Sequence, residues 1–231
     1  MVSITPGCTD SFPANHSAHG YIIIFRKMKR EVSKMNTTST KKLVVAALFA
    51  ALTCICTMIV KIPTPTGGYI HPGDGMVLLC GIILGPGMGA LAAGIGSMLS
   101  DLFSGYMVWV PATFLIKALC ALVASLLFRS MSSRFTAKKN ASALCLIIAG
   151  IIGEALMVFG YFLFEIGLNA ASNGGFTAAA IAGGIAYSAA GIPANILQGI
   201  TGIVIACALL PVLSKIPDVR AWMRTDAIAS V

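Results

Sequence analysis

The chain has 231 residues, of which 57% are hydrophobic and only 10% charged, and its mean hydropathy is +0.89. A soluble domain carries roughly a quarter charged residues, so this composition excludes a water-soluble core. The formal net charge of +8 is carried by residues that flank apolar segments, which makes anionic inner-leaflet lipid the simpler partner and argues against nucleic acid. Six of the seven cysteines (Cys54, Cys56, Cys80, Cys120, Cys145, Cys207) lie inside apolar runs and no CxxC occurs. They read as soft packing residues, with no disulfide framework or metal site expected.

Residues 1–34 are polar apart from the patch Tyr21–Phe25, which is too short to span a bilayer and lacks the order of a cleaved signal. This stretch is expected to be disordered or to reflect a misplaced start, with Met28 and Met35 as alternative starts. A first helix is expected over Leu43–Ile62, ended by Pro63 and Pro65. Gly67, Gly68, Pro72 and Gly73 make the next segment a loop. Asp74 is placed to cap a second, short helix over Gly75–Leu84, and Gly85-Pro86-Gly87 turns the chain into a third over Met88–Phe103. Both are shorter than a comfortable span, and their small residues permit close approach to neighbours.

Ser104–Trp109 reads as an outer loop with Tyr106 and Trp109 at the interface. A fourth helix is expected over Val110–Phe128, a basic inner loop over Arg129–Asn140, and a fifth helix over Ala141–Phe164. Asn169–Gly175 reads as an outer loop, and Phe176–Ala190 as an outer loop helix or re-entrant segment. Pro193 opens a sixth helix that runs to Leu213, and residues 216–231 form a tail. The class is therefore an all-α integral membrane protein, a six-helix transmembrane bundle. Seven of the 16 Lys and Arg precede the first helix, four lie in the 129–140 hairpin and three in the tail. All three groups fall on one face if six helices alternate, which puts both termini in the cytoplasm. The exceptions are Lys61, at the outer end of the first helix, and Lys117, inside an apolar run where a cation is costly and usually functional.

Lys117 lies about 10 Å inward of Val110, and Glu154 about 15 Å inward of Phe164, so the two occupy a similar layer. Glu154, Tyr161 and Glu165 share one face of the fifth helix, and Trp109, Thr113 and Lys117 one face of the fourth. Asn195, Gln198 and Thr201 or Gly202 line a stripe of the sixth. Three helices thus offer polar faces to an outward-opening pocket, to which Asp101, Tyr69 and His71 can contribute from the third helix and the first loop. The plain alternatives are that Lys117 and Glu154 only neutralise each other, that Asn195 and Gln198 are interhelical hydrogen bonds, that Asp101 is an interfacial charge, and that His71 and Asp74 are loop and cap. Ala46, Ala47, Ala50 and Ala51 give two overlapping Ala-x-x-x-Ala pairs, which allow another helix to approach closely or serve internal packing. No HExxH, G-x-S-x-G, P-loop or Rossmann glycine pattern is present, so no enzyme is expected.

Residues 35–215 resemble the substrate-binding S components of energy-coupling factor (ECF) vitamin transporters. The likeness rests on six helices with both ends inside, the alanine pairs of the first helix, the loop Pro65-Thr66-Gly67-Gly68-Tyr69-Ile70-His71-Pro72-Gly73-Asp74, and the turn Leu84-Gly85-Pro86. It rests also on Ser100-Asp101-Leu102, Pro111-Ala112-Thr113-Phe114-Leu115-Ile116-Lys117 and Pro193-Ala194-Asn195. It is similar in particular to the riboflavin-type S components, which include pyridoxine and hydroxymethylpyrimidine transporters. The resemblance implies a multi-pass protein of a bacterial or archaeal plasma membrane. Its first outer loop would close over a vitamin held by helices 4 to 6, and its alanine face would dock on a transmembrane T component driven by two cytoplasmic ATPases. No cofactor is expected on this chain, ATP being used by the partner subunits. The competing reading is a small ion-coupled secondary transporter or channel using Lys117 and Glu154 as a relay.

Overall fold

The computed structural model describes residues 39–134 and 141–228. Contacts divide the chain into Met1–Lys42 and Leu43–Val231. The reading of residues 1–34 and half of the basic 129–140 loop (135–140) lie outside the described residues, while the other half, Arg129–Arg134, is helix and not loop. Among those described there are eight helices and one short hairpin. Four helices are long and apolar enough to cross a membrane: α1 (Ser39–Ile59), α4 (Val110–Arg134), α5 (Ala141–Ser172) and α7 (Ile192–Leu213). Between α1 and α4 come the strands β1 (Ile62–Pro63) and β2 (Tyr69–Ile70) and the helices α2 (Asp74–Leu84) and α3 (Pro86–Phe103). The remaining two helices are α6 (Ala178–Ala189) and α8 (Pro217–Ile228).

Several boundaries differ from the sequence reading for identifiable reasons. The segment after α1 is not loop alone: Ile62 pairs with Ile70 and Pro63 with Tyr69 in an antiparallel ladder. Its turn contains Gly67 at φ 74°, a conformation that favours glycine. Pro63 is tolerated because a two-residue edge needs few donors. Helix α5 continues to Ser172 through Asn169, which was expected to open a loop; weak helix propensity yields to continuation of an already formed helix. The tail is helical too, and Val219 and Trp222 of α8 are buried in the core.

Helix α2 is the hub of the bundle. All its residues are buried, and α3, α4, α7 and α8 pack around it. Eleven residues rise only about 16 Å, half a bilayer core, so α2 must be enclosed by protein. Gly81 permits that enclosure, since a Cβ there would run into the carbonyl of Ala121 on α4. Gly85, at φ 91°, makes the tight reversal into α3. At this end Arg129 Nη2 donates to the Ile82 carbonyl (3.3 Å), while its Nε donates to Ser125 (3.2 Å). Arg129 thus satisfies one of the last-turn carbonyls that no backbone N–H reaches. Helix α1 packs on the same hub. Thr53 donates back to the Phe49 carbonyl (2.8 Å) and lies 3.6 Å from Cys80 Sγ of α2.

Candidate functional site

The β1–β2 hairpin lies over one end of the bundle and is tied to three helices. Tyr69 donates its hydroxyl to Asp101 of α3 (2.7 Å), and Thr66 donates to Glu165 of α5 (2.9 Å). The backbone N–H of His71 donates to Gln198 Oε1 of α7 (3.1 Å). Lys61 bonds Ser104 and sits 5.3 Å from the Tyr69 ring centroid, a cation–π contact. Tyr69 also stacks obliquely on Tyr106 at 4.8 Å. Desolvation and the nearby Asp101 carboxylate push the Tyr69 phenol above its ordinary range, so it is a donor at every physiological pH.

Beneath the hairpin is a cavity of about 30 Å³. Eight of the ten residues nominated from sequence for the substrate site line it: Tyr69 and His71 from the hairpin segment, Asp101 from α3, Trp109 and Thr113 at the start of α4, Tyr161 from α5, and Asn195 and Gln198 from α7. One wall is aromatic. Trp109 lies 6.0 Å from Tyr161 and meets Phe164 edge-on at 5.3 Å, and Tyr161 donates to Thr113 (3.2 Å). Thr64, Gly68, Tyr106 and Glu165 also line the cavity. Of these, Glu165 already shared the Glu154–Tyr161 helix face in the sequence, whereas Thr64 and Gly68 enter only because the hairpin folds inward.

Lys117 and Glu154 do not line the cavity. Lys117 is fully buried directly behind Tyr161, with Nζ 5.4 Å from the ring centroid. Its partner is Asp74, at 2.5 Å, and not Glu154. Asp74 is therefore not the cap of α2: the N-cap is Gly73, and the Asp74 side chain turns inward to take both Lys117 and Gln198 Nε2 (2.7 Å). Gly202 leaves the space for this, because a Cβ there would meet Asp74 Cβ at 2.8 Å. Glu154 is buried, accepts a weak contact from Cys120 Sγ (3.8 Å), and its Oε2 has no hydrogen-bond partner among the described residues. Gln198 joins the layers, lining the cavity while holding both the hairpin and the buried ion pair.

His71 is buried, and desolvation pushes its imidazole down to about 3. Its Nδ1 accepts the Gly73 N–H (3.1 Å), which requires the neutral ring. Above pH 6.5 neither the folded nor the unfolded state charges this group. As pH falls from 6.5 toward 3, the unfolded chain takes a proton that the folded one refuses, so stability declines. His71→Asn keeps an acceptor and removes the titration. The acid-induced drop in thermal midpoint between pH 6.5 and 4.5 should be smaller in that variant than in the parent; equal drops would reject this role.

At the far end of α1, Ala47 and Ala51 are exposed, whereas Ala46 is buried and Ala50 half-buried. The four alanines, with Leu43 and the α3 residues Met88, Leu91, Ala92, Ile95 and Leu99, line an apolar groove of about 470 Å³. The alanine stripe is therefore two-sided. Its Ala50 edge faces α3, where a Cβ on Gly96 would run into the Ala50 carbonyl, and its Ala47–Ala51 edge is open.

Three comparisons bear on this geometry. The chain is 31% identical over 108 residues to an uncharacterized protein in the gap 3′ region of Pyrococcus woesei, a match covering 46% of this chain and 66% of that protein. The chain thus spans a little under two thirds of that relative's length. A solved structure described as "Structure and mechanism of the S component of a bacterial ECF transporter" superposes with a TM-score of 0.52 at 20% identity, covering 77% of this chain and 97% of that one, a likeness of fold. The family model of the ECF-type riboflavin transporter S component matches residues 37–215. That match spans well over half the sequence, and the chain belongs to the family of ECF-type riboflavin transporter S components, the substrate-binding subunits of these transporters.

Proposed function

We propose that this protein captures a water-soluble vitamin or vitamin precursor, of the riboflavin, pyridoxine or hydroxymethylpyrimidine type, from outside the cell and passes it to an ATP-driven module. The observation that carries the reading is the aromatic and polar cavity at one end of the bundle, covered by a hairpin tied to α3, α5 and α7. At about 30 Å³ the cavity is far below the roughly 300–1,000 Å³ of small-molecule sites, so the hairpin must lift to admit a vitamin and settle again over it. Each tie is a hydrogen bond worth about 1–3 kcal/mol net, the two to carboxylates at the upper end, weak enough to open. With Lys and Arg gathered before and at the start of α1, from the last turns of α4 to the start of α5, and after α7, the positive-inside rule supports cytoplasmic termini and an outward cavity. The short helices α2 and α3 complete a six-helix membrane bundle, with α6 as the outer loop helix.

The open Ala47–Ala51 edge is the docking face for a transmembrane T component, and two cytoplasmic ATPases supply the energy. This chain holds no cofactor of its own. Ala47→Leu with Ala51→Leu tests the arrangement. Both positions are exposed, so the fold and vitamin affinity should be kept, while co-purification with the T component and ATP-dependent uptake should be abolished. Intact assembly and uptake in this variant would reject the docking face. Uptake by the chain alone, driven by an ion gradient, would favour the secondary-carrier reading.

A further inference from the structure

The walls of the cavity carry two carboxylates, Asp101 and Glu165, and no lysine or arginine. His71, the one basic side chain among the lining residues, is held neutral by burial. Lys117 is committed to Asp74 behind Tyr161, and Lys61 bonds Ser104 outside the lining. The two carboxylates are not equivalent. Asp101 takes the Tyr69 hydroxyl. Glu165 is 3% exposed, takes Thr66 on Oε1, and leaves Oε2 without a hydrogen-bond partner among the described residues. A buried carboxylate oxygen without a donor is costly, and Glu165 is one of the residues that line the cavity beside Trp109 and Tyr161.

We infer that Glu165 is a specificity-determining residue whose Oε2 receives an N–H or protonated nitrogen of a planar heteroaromatic ligand, so that the site takes cationic or donor-bearing rings and rejects carboxylates and phosphates. This rests on the S-component reading and narrows its substrate class. A ring stacked on Trp109 and Tyr161 has its polarisable face satisfied by the aromatic wall, and an edge donor then completes the Glu165 valence. An anionic ligand would meet two carboxylates with no cation among the lining residues to offset them, and like charges at close range are strongly disfavoured. Recognition by a buried acceptor discriminates sharply, because the wrong ligand leaves that acceptor unpaired.

The test is equilibrium binding to the purified full chain in detergent or nanodiscs, using thiamine, 4-amino-5-hydroxymethyl-2-methylpyrimidine, pyridoxine, riboflavin and pantothenate. At least one amino-bearing or cationic ring should bind, and pantothenate should bind weakest. Glu165→Gln, which keeps the acceptor for Thr66, should weaken the preferred ligand by roughly 10- to 100-fold, the loss expected for a charge-assisted bond. An affinity within twofold of the parent overturns the role of Glu165. Preference for pantothenate, or no binding by any of the five, overturns the inference even if Glu165→Gln fails to fold. The S-component reading is judged separately, by assembly with the T component, and survives either of those failures.

Discussion

Lys117→Met is expected to destabilise the protein by about 3–5 kcal/mol, the usual cost of leaving one member of a buried ion pair without the other. The partner left behind is Asp74, fully buried on the first turn of α2, with Gln198 Nε2 still donating to it. Methionine fills the space of the lysine stem, so a cavity is not the cause. Adding Asp74→Asn removes the stranded charge and should restore most of the lost stability, since neutral replacement of both members of such a pair is often near neutral. Adding Glu154→Gln instead should not. Thermal denaturation in one detergent reads all three. Rescue by Glu154→Gln and not by Asp74→Asn would show that the ion pair is misassigned. The restored double variant should still bind vitamin, because Lys117 lies behind Tyr161 and outside the cavity wall. A stable double variant that binds poorly would return Lys117 to the list of ligands.

The same residues show where sequence reasoning reaches and where it stops. Helical periodicity fixes which face a residue takes and roughly how deep it lies. That sufficed to bring Trp109, Thr113, Tyr161, Asn195 and Gln198 to one cavity. It also placed Lys117 and Glu154 in one layer, which made them the natural pair. Periodicity contains no information on segments that lack it. The stretch from Pro63 to Gly73 reads as a loop, and loops run outside; the β1–β2 ladder instead folds it inward and delivers Asp74 to the interior at the start of α2. Once Asp74 is inside, it competes for Lys117 and wins, and Glu154 is left with a thiol contact. The α8 tail was missed for the opposite reason. Its charged residues mark it as polar, yet Val219 and Trp222, three apart on one face, are enough to seat it on α2 and α4.

Gln198→Leu is expected to lower both stability and vitamin affinity, because one amide serves three clients. Its Nε2 donates to Asp74 Oδ2 (2.7 Å), its Oε1 accepts the His71 N–H (3.1 Å), and its side chain forms part of the cavity lining. Leucine matches it closely in size and leaves two buried polar groups, the Asp74 oxygen and the His71 N–H, without partners. Each such group costs about 1–3 kcal/mol, so a loss of about 2–6 kcal/mol is expected in denaturation. Affinity should fall further than this wall contact alone explains, since His71 is one of the three ties of the hairpin and its release raises the fraction of open sites; ligand dissociation should therefore accelerate more than association slows. Gln198→Glu separates the two effects. It keeps an acceptor for His71 but sets a carboxylate against Asp74, so the hairpin tie survives while the ion-pair layer is strained. If Gln198→Glu is the less stable of the two yet retains the slower dissociation, the hairpin and the buried pair are held by opposite ends of one side chain. Equal dissociation rates in the two variants would mean that the His71 bond does not govern closure, and that Gln198 acts on the vitamin directly.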